Sequence, residues 1–218
     1  MVEFSLWDIL RNLLGAARWT VSLSLIAFIG GGLVGLALLV LRMSGNRLAD
    51  RLIGIYVQVF QGTPLLLQLF LIFFGAPVIG MDINPWIAAG IALILNSGAF
   101  LGEIWRGCIQ AIPRGQWEAA EALSLSYTSR MRDVVLPQAM KIAVAPTVGY
   151  MVQIIKGTSL AAIIGFTEIT RAGQIINNAT FQPLLVFSVV ASLYFVICWP
   201  LSLLASRLER RQARALAR

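Results

Sequence analysis

The 218-residue chain contains no histidine. That excludes histidine-based zinc sites and a histidine general base. Cysteine is nearly absent: Cys108 and Cys198 stand far apart without CxxC spacing, and both read as small packing residues. No GxxxxGKS or GxxxxGKT motif is present. Neither Lys141 nor Lys156 follows a glycine in that frame, so the chain carries no P-loop of its own. Charge is scarcest of all. Asp, Glu, Lys and Arg make up 12% of residues and hydrophobic residues 58%, against roughly 25% charged in soluble domains. So few charges cannot cover the surface of a water-soluble globule of this size, and lipid is the natural solvent for the excess.

What charge there is sums to +7. In a soluble protein that would suggest nucleic acid, but here most Lys and Arg sit between long apolar runs. They read as topology signals, and no nucleic-acid partner is expected. Glu3 and Asp8 make the start acidic, and the first apolar run is too long for a signal-peptide core, so no secretory leader is expected.

A spanning helix needs about 20 mainly apolar residues. The pattern predicts an all-α membrane domain over 1–218 with five spans, at about 20–41, 64–79, 86–105, 137–155 and 184–204. Ahead of the first, Phe4, Leu6, Trp7, Ile9, Leu10, Leu13 and Leu14 alternate with polar residues and predict a helix lying along the interface. A second interfacial helix is expected from Arg47 to Gln61. Thr63 is then placed as N-cap and Pro64 as first residue of the second span. Gly30, Gly31, Gly32 and Gly35 in the first span, and Gly98 and Gly102 in the third, allow close helix packing. The fourth span is expected to break at Lys156-Gly157-Thr158-Ser159.

Five spans put the termini on opposite sides. With the C-terminus inside, thirteen of the seventeen Lys and Arg residues fall on the cytoplasmic side; Arg11, Arg18, Lys156 and Arg171 do not. The opposite orientation inverts the ratio, so an N-out, C-in arrangement is expected.

The one long cytoplasmic loop runs from Gly115-Gln116-Trp117-Glu118-Ala119-Ala120-Glu121 to Leu136-Pro137-Gln138. Ala, Glu and Leu favour about three turns of helix, placed at about 115–126. Trp117, Ala120, Leu123 and Tyr127 form an apolar stripe on it. By pattern alone such a helix either fits a groove on another protein or covers the inner face of its own domain.

The residues shift that balance. Glu118-Ala119-Ala120 followed by Leu136-Pro137 resembles the EAA loop of ABC-importer permeases. Gly62-Thr63-Pro64-Leu65-Leu66 resembles the segment that opens that family's second span. Glu103-Ile104-Trp105-Arg106-Gly107 with Gly115-Gln116 is similar to the lead-in of its polar amino-acid uptake subfamily. Lys156-Gly157-Thr158-Ser159-Leu160 and Leu208-Glu209-Arg210-Arg211 resemble its later landmarks. The chain departs from the family at Ser124, where Gly is usual, and at Gln61, where Arg is frequent.

The resemblance implies a type I permease fold in a bacterial inner membrane, multi-pass. It implies two ATPase subunits as partners, which hold the ATP and Mg that this chain does not bind. A second permease copy, identical or related, and a periplasmic or lipid-anchored solute-binding protein complete the assembly. Gly115, Gln116, Trp117, Glu118, Ala119, Ala120, Leu123 and Ser124 would then couple to the ATPase, with Glu118 the anchoring charge and Ala119 and Ala120 the close-contact surface.

For the substrate pathway, non-helical backbone at membrane depth is tolerated where it lines a cavity. The expected break therefore makes Lys156, Thr158 and Ser159 candidates, with Asn96, Ser97 and Gln153 facing the same cavity. Interhelical hydrogen bonding is the alternative for each. Lys156 could instead pair with Glu168, and Glu168 with Arg171 is spaced like a surface pair on a short outer helix. The rival function is a stand-alone secondary carrier or channel, which explains the spans but not the EAA loop. A membrane enzyme would lack an evident catalytic centre.

Overall fold

A single helix, α1 (Leu6–Met43), opens the computed structural model, which describes residues 5–216. Ser5 and Asp8 form a reciprocal cap at its start: the Asp8 N–H donates to Ser5 Oγ at 3.2 Å, and the Ser5 N–H to Asp8 Oδ2 at 3.1 Å. At 1.5 Å per residue α1 is about 57 Å long. The separate interfacial helix expected ahead of Thr20 is therefore corrected. Ile9 and Leu13 are fully buried against Ile169, Ile176, Val186 and Val190, and that packing draws the first turns into the bundle. Phe4 lies outside the described residues, as does Arg218.

Next come α2 (Arg47–Gly62) and α3 (Leu65–Gly75), which meet at a bend of 104°. Asn46 caps α2 by accepting from the N–H groups of Leu48 and Ala49. Thr63 is not the N-cap of α3: its hydroxyl donates back to the Val59 carbonyl at 2.7 Å, closing the end of α2, and Pro64 takes the cap position. Nor is α2 purely interfacial. Phe60 and Gln61, at its end, lie beside Asn96 and Ala99 in the middle of α4 (Pro85–Gln110). With 11 residues, α3 is about 16 Å long and cannot cross a core of about 30 Å alone.

The α1–α4 pairing settles how the chain crosses. Gly30 lies against Ile94, Gly31 against Ser97 and Gly35 against Gly102, so the partner's number rises with the glycine's and the helices run parallel. A chain that makes two parallel passes must return between them. The α2–α3 pair is thus one broken span, and the crossings number five.

After α4 come a short helix, α5 (Arg114–Ala122), and a single turn, α6 (Tyr127–Ser129). A π-helical stretch, Arg130–Val135, then leads into α7 (Leu136–Thr158). Trp105 bonds Thr147 and Asn96 bonds Tyr150, so α7 is antiparallel to α4. The break expected at Lys156–Ser159 is corrected: α7 continues through Thr158 and tightens into 3₁₀ turns, Ser159–Ile164, which end at Gly165 with φ 91°. Two Ser/Thr hydroxyls stabilise that stretch from within. Thr158 donates to the Ile155 carbonyl and Ser159 to that of Lys156, each at 2.7 Å. Last are α8 (Ile169–Thr180) and α9 (Pro183–Leu216). α9 returns along α7, with Cys198 against Val152 and Ile155, and Gln212 at the Lys141 carbonyl. Among the described residues there is no strand.

One end of the bundle therefore gathers Arg42, Arg47, Arg51, Arg106, Arg114, Arg130 and Arg132 with Arg207, Arg210 and Arg211, and carries α5. The other end holds α8, the 3₁₀ turns and the start of α1.

Candidate functional site

Short as it is, α5 is firmly held. Trp117 packs half-buried with Ile112, Met131 and Val135, and Ala120 is buried beneath it. Gln138 donates to the Gln116 side-chain carbonyl at 3.1 Å, and Arg130 pairs with Glu121 at 3.2 Å. The helix is shorter than 115–126 because it closes early. Ser124 adopts φ 56°, its N–H donates to the Glu121 carbonyl at 2.8 Å, and the Leu125 N–H reaches back to that of Ala120 at 3.2 Å. This is the paired closure that a left-handed residue after the C-cap makes. Ser124 thus performs the turn that glycine makes more readily.

The expected apolar stripe divides. Trp117 and Ala120 turn toward their own chain, whereas Leu123 and Tyr127 stay exposed. Ala120 is therefore corrected as a contact surface for another protein, because its own chain already covers it. The exposed residues of α5 are Arg114, Gly115, Gln116, Glu118, Ala119, Glu121 and Ala122, followed by exposed Leu123 and Ser124.

Behind α5 lies an ion cluster on which sequence reasoning placed no weight. Arg42 of α1 contacts Glu103 of α4 and also Asp50 of α2, the latter at 2.7 Å. Arg106 bonds the same Glu103 at 2.5 Å. The first and last charges of Glu103-Ile104-Trp105-Arg106-Gly107 thus help tie three helix ends together. Glu103 and Arg106 are a local pair on α4, but Arg42 and Asp50 come from a segment far away in sequence, so no local pattern announces the cluster.

The second element is a crevice of about 400 Å³ where the α2–α3 break meets α4 and α7. Asn96, Ser97 and Gln153 do converge there, beside Tyr150 and Thr63. Gln68, nearly buried, organises the break: its amide nitrogen donates to the carbonyls of Phe60 and Thr63 at 2.9 and 3.0 Å, and its oxygen accepts from Asn96 at 3.0 Å. Two carbonyls freed by the bend are thereby satisfied inside the bundle. The break that lines a cavity is at Gly62–Pro64. Gln68 and Tyr150 were missed; a lone Gln inside the apolar run from Leu65 to Phe74 was the available signal.

The other pathway candidates separate from these. Thr158 is fully buried with its hydroxyl engaged. Lys156 and Ser159 line a different groove, of about 630 Å³, with Tyr194, Cys198 and Trp199 of α9. Glu168 is neither a partner of Lys156 nor a surface pair with Arg171. It is fully buried as the N-cap of α8, accepting from the N–H groups of Thr170 and Arg171 at 2.9 Å each and from the Tyr194 hydroxyl at 2.5 Å. The guanidinium of Arg171 turns to Gln174 instead.

Residues 27–214 match the family described as binding-protein-dependent transport system inner membrane component. The chain belongs to that family. Among relatives of this inner membrane component, the L-cystine transport system permease protein TcyB of Bacillus subtilis is 36% identical over 219 residues, covering 100% of this chain and 92% of TcyB. The glutamine transport system permease protein GlnP of Escherichia coli K12 is 35% identical over 209 residues, 95% of each chain. A solved amino acid ABC transporter, determined with histidines, contains a chain that superposes with a TM-score of 0.89 at 32% identity, covering 96% of this chain and 100% of that one. A chain of the inward-facing MetNI methionine ABC transporter shares the fold, with a TM-score of 0.71 at 20% identity. This inner membrane component is thus an all-helical membrane permease of the type I importer fold.

Proposed function

We propose that this permease component of an amino-acid ABC importer converts a stroke delivered at α5 into movement of the crevice-lining face of α7. The observation that carries the reading is the double attachment of α5. Its outer side, with Glu118, Ala119, Ala122 and Leu123, is exposed. Its inner side packs through Trp117, and the side chains of Gln116 and Glu121 at its flanks tie it to the segment that starts the helix carrying Tyr150 and Gln153 into the crevice. From Tyr127 to Ile164 the chain is helical without a break, so a displacement at one end reaches the other.

In this reading the α5 end faces the cytoplasm of a bacterium, which the excess of Arg there supports, and the α8 end faces outward. Two ATPase subunits bind ATP and Mg and seat Glu118 and Ala119. A second permease copy faces the crevice, and a solute-binding protein delivers a polar amino acid from outside. This chain binds no nucleotide and performs no hydrolysis. The family match and the names of the relatives support these partners.

The test is Glu118→Lys in proteoliposomes containing the full importer. Charge reversal in a docking surface should lower uptake by at least about tenfold, while the protein still inserts and ATP hydrolysis proceeds uncoupled from transport. Unchanged uptake would overturn the role of Glu118.

A further inference from the structure

The crevice differs from both ends of the bundle in one respect: among its described walls there is no charged side chain. Thr63, Asn96, Ser97, Tyr150 and Gln153 supply its polar groups. Phe60, Leu65, Leu93, Phe100 and Ile154 supply the rest. Ser97 adds an independent sign that something binds here. Its residue is 1% exposed, yet its hydroxyl, which lies beside that of Tyr150, completes no well-formed hydrogen bond. A buried hydroxyl without a partner costs free energy unless a visiting group completes it.

Resting on the pathway reading above, we propose that the crevice selects amino acids with uncharged, hydrogen-bonding side chains and rejects those with a cationic or anionic side chain. A zwitterionic backbone presents donor and acceptor together, and hydroxyls and amides can satisfy both. A charged side chain adds a net charge that these walls, repeated in an identical second copy facing them, cannot neutralise, and desolvating an unpaired charge is expensive. Ser97 and Gln153 are the selecting residues: one is buried without a well-formed hydrogen bond, the other exposed into the opening.

The permease–ATPase complex in detergent, without the solute-binding protein, isolates this selection from the receptor's own. Saturable binding of radiolabelled glutamine, serine, arginine and glutamate is measured. Glutamine and serine should bind more than about tenfold tighter than arginine or glutamate, and Gln153→Glu should shift the preference toward arginine. Equal binding of arginine or glutamate, an unmoved preference in Gln153→Glu, or no binding of any of the four would overturn the proposal.

A second arm tests the pathway reading itself. A bulky maleimide is attached at Gln153→Cys in a Cys108→Ala, Cys198→Ala background of the full importer. Blocked uptake supports the crevice as the route, whatever the binding preferences. Undiminished uptake would overturn the route and the selection with it.

Discussion

Gly35 of α1 meets Gly102 of α4 backbone to backbone: a Cβ built on Gly35 would stand 2.8 Å from the Gly102 nitrogen and 3.0 Å from the Gly98 carbonyl oxygen. Backbone cannot swing aside as a flexible side chain can. Gly35→Ala must therefore part the two parallel helices, and overpacking of this kind costs about 1–3 kcal/mol. The permease in detergent should melt several degrees lower. Gly32→Ala is the control, because its Cβ would meet only the tip of Trp105, at an ordinary 3.7 Å. Equal melting of the two variants would refute the close-approach account.

How much of this was legible follows from where each signal resides. Apolar runs longer than a bilayer core mark spans by themselves, and small residues four apart mark a close approach, so the apolar part of α1 from Thr20 onward, α4, the apolar part of α9 and the Gly contacts could be read directly. What a glycine or a Ser/Thr pair does depends on what stands opposite. Gly157, read as part of a break, lies against Leu65 of α3, 3.1 Å from where its Cβ would be, and serves packing inside an unbroken helix. Thr63 could equally cap the helix ahead or close the one behind, and Gln68 decides it by holding both Thr63 and Phe60. The Asn96–Ser97–Gln153 grouping was recoverable because the Asn96-Ser97 pair and Gln153 each interrupt an apolar stretch. Lys156 and Ser159 were misassigned because α9, distant in sequence, forms the groove they occupy.

Ser124 holds the left-handed conformation that ends α5, at φ 56°. A residue with a Cβ is strained there by about 1–2 kcal/mol, part of which glycine gives back through the greater freedom of its unfolded state. Ser124→Gly should stabilise the loop by about 0.5–1 kcal/mol. Ser124→Val should destabilise it, because a β-branched side chain is least tolerated at positive φ. Thermal midpoints and the rate of limited proteolysis between Gln116 and Arg130 report the order Gly, Ser, Val. Any other order would show that the turn is not what limits α5.

Glu168 offers a pH-dependent test at the opposite end. Burial pushes its carboxyl above the usual carboxylate range, and the bonds from Thr170, Tyr194 and Arg171 pull it back only in part. A carboxyl whose folded value is raised binds its proton more tightly in the native state than in the unfolded one. Its contribution to stability is therefore fully present below the unfolded value of about 4.3 and is lost as pH rises through the folded value, with a slope of at most about 1.4 kcal/mol per pH unit. Glu168→Gln keeps an oxygen to accept from the α8 N–H groups and a side-chain amide to face Tyr194, but it does not titrate. Comparing thermal midpoints of the two proteins from about pH 4.5 to about pH 7.5 cancels the other titrating groups. The wild type should lose ground to the Gln variant as pH rises, and Glu168→Ala, which strips the cap and leaves the Tyr194 hydroxyl unpaired, should fall below both throughout. A wild type that gains on Glu168→Gln as pH rises would show that the hydrogen bonds to the carboxylate outweigh its burial.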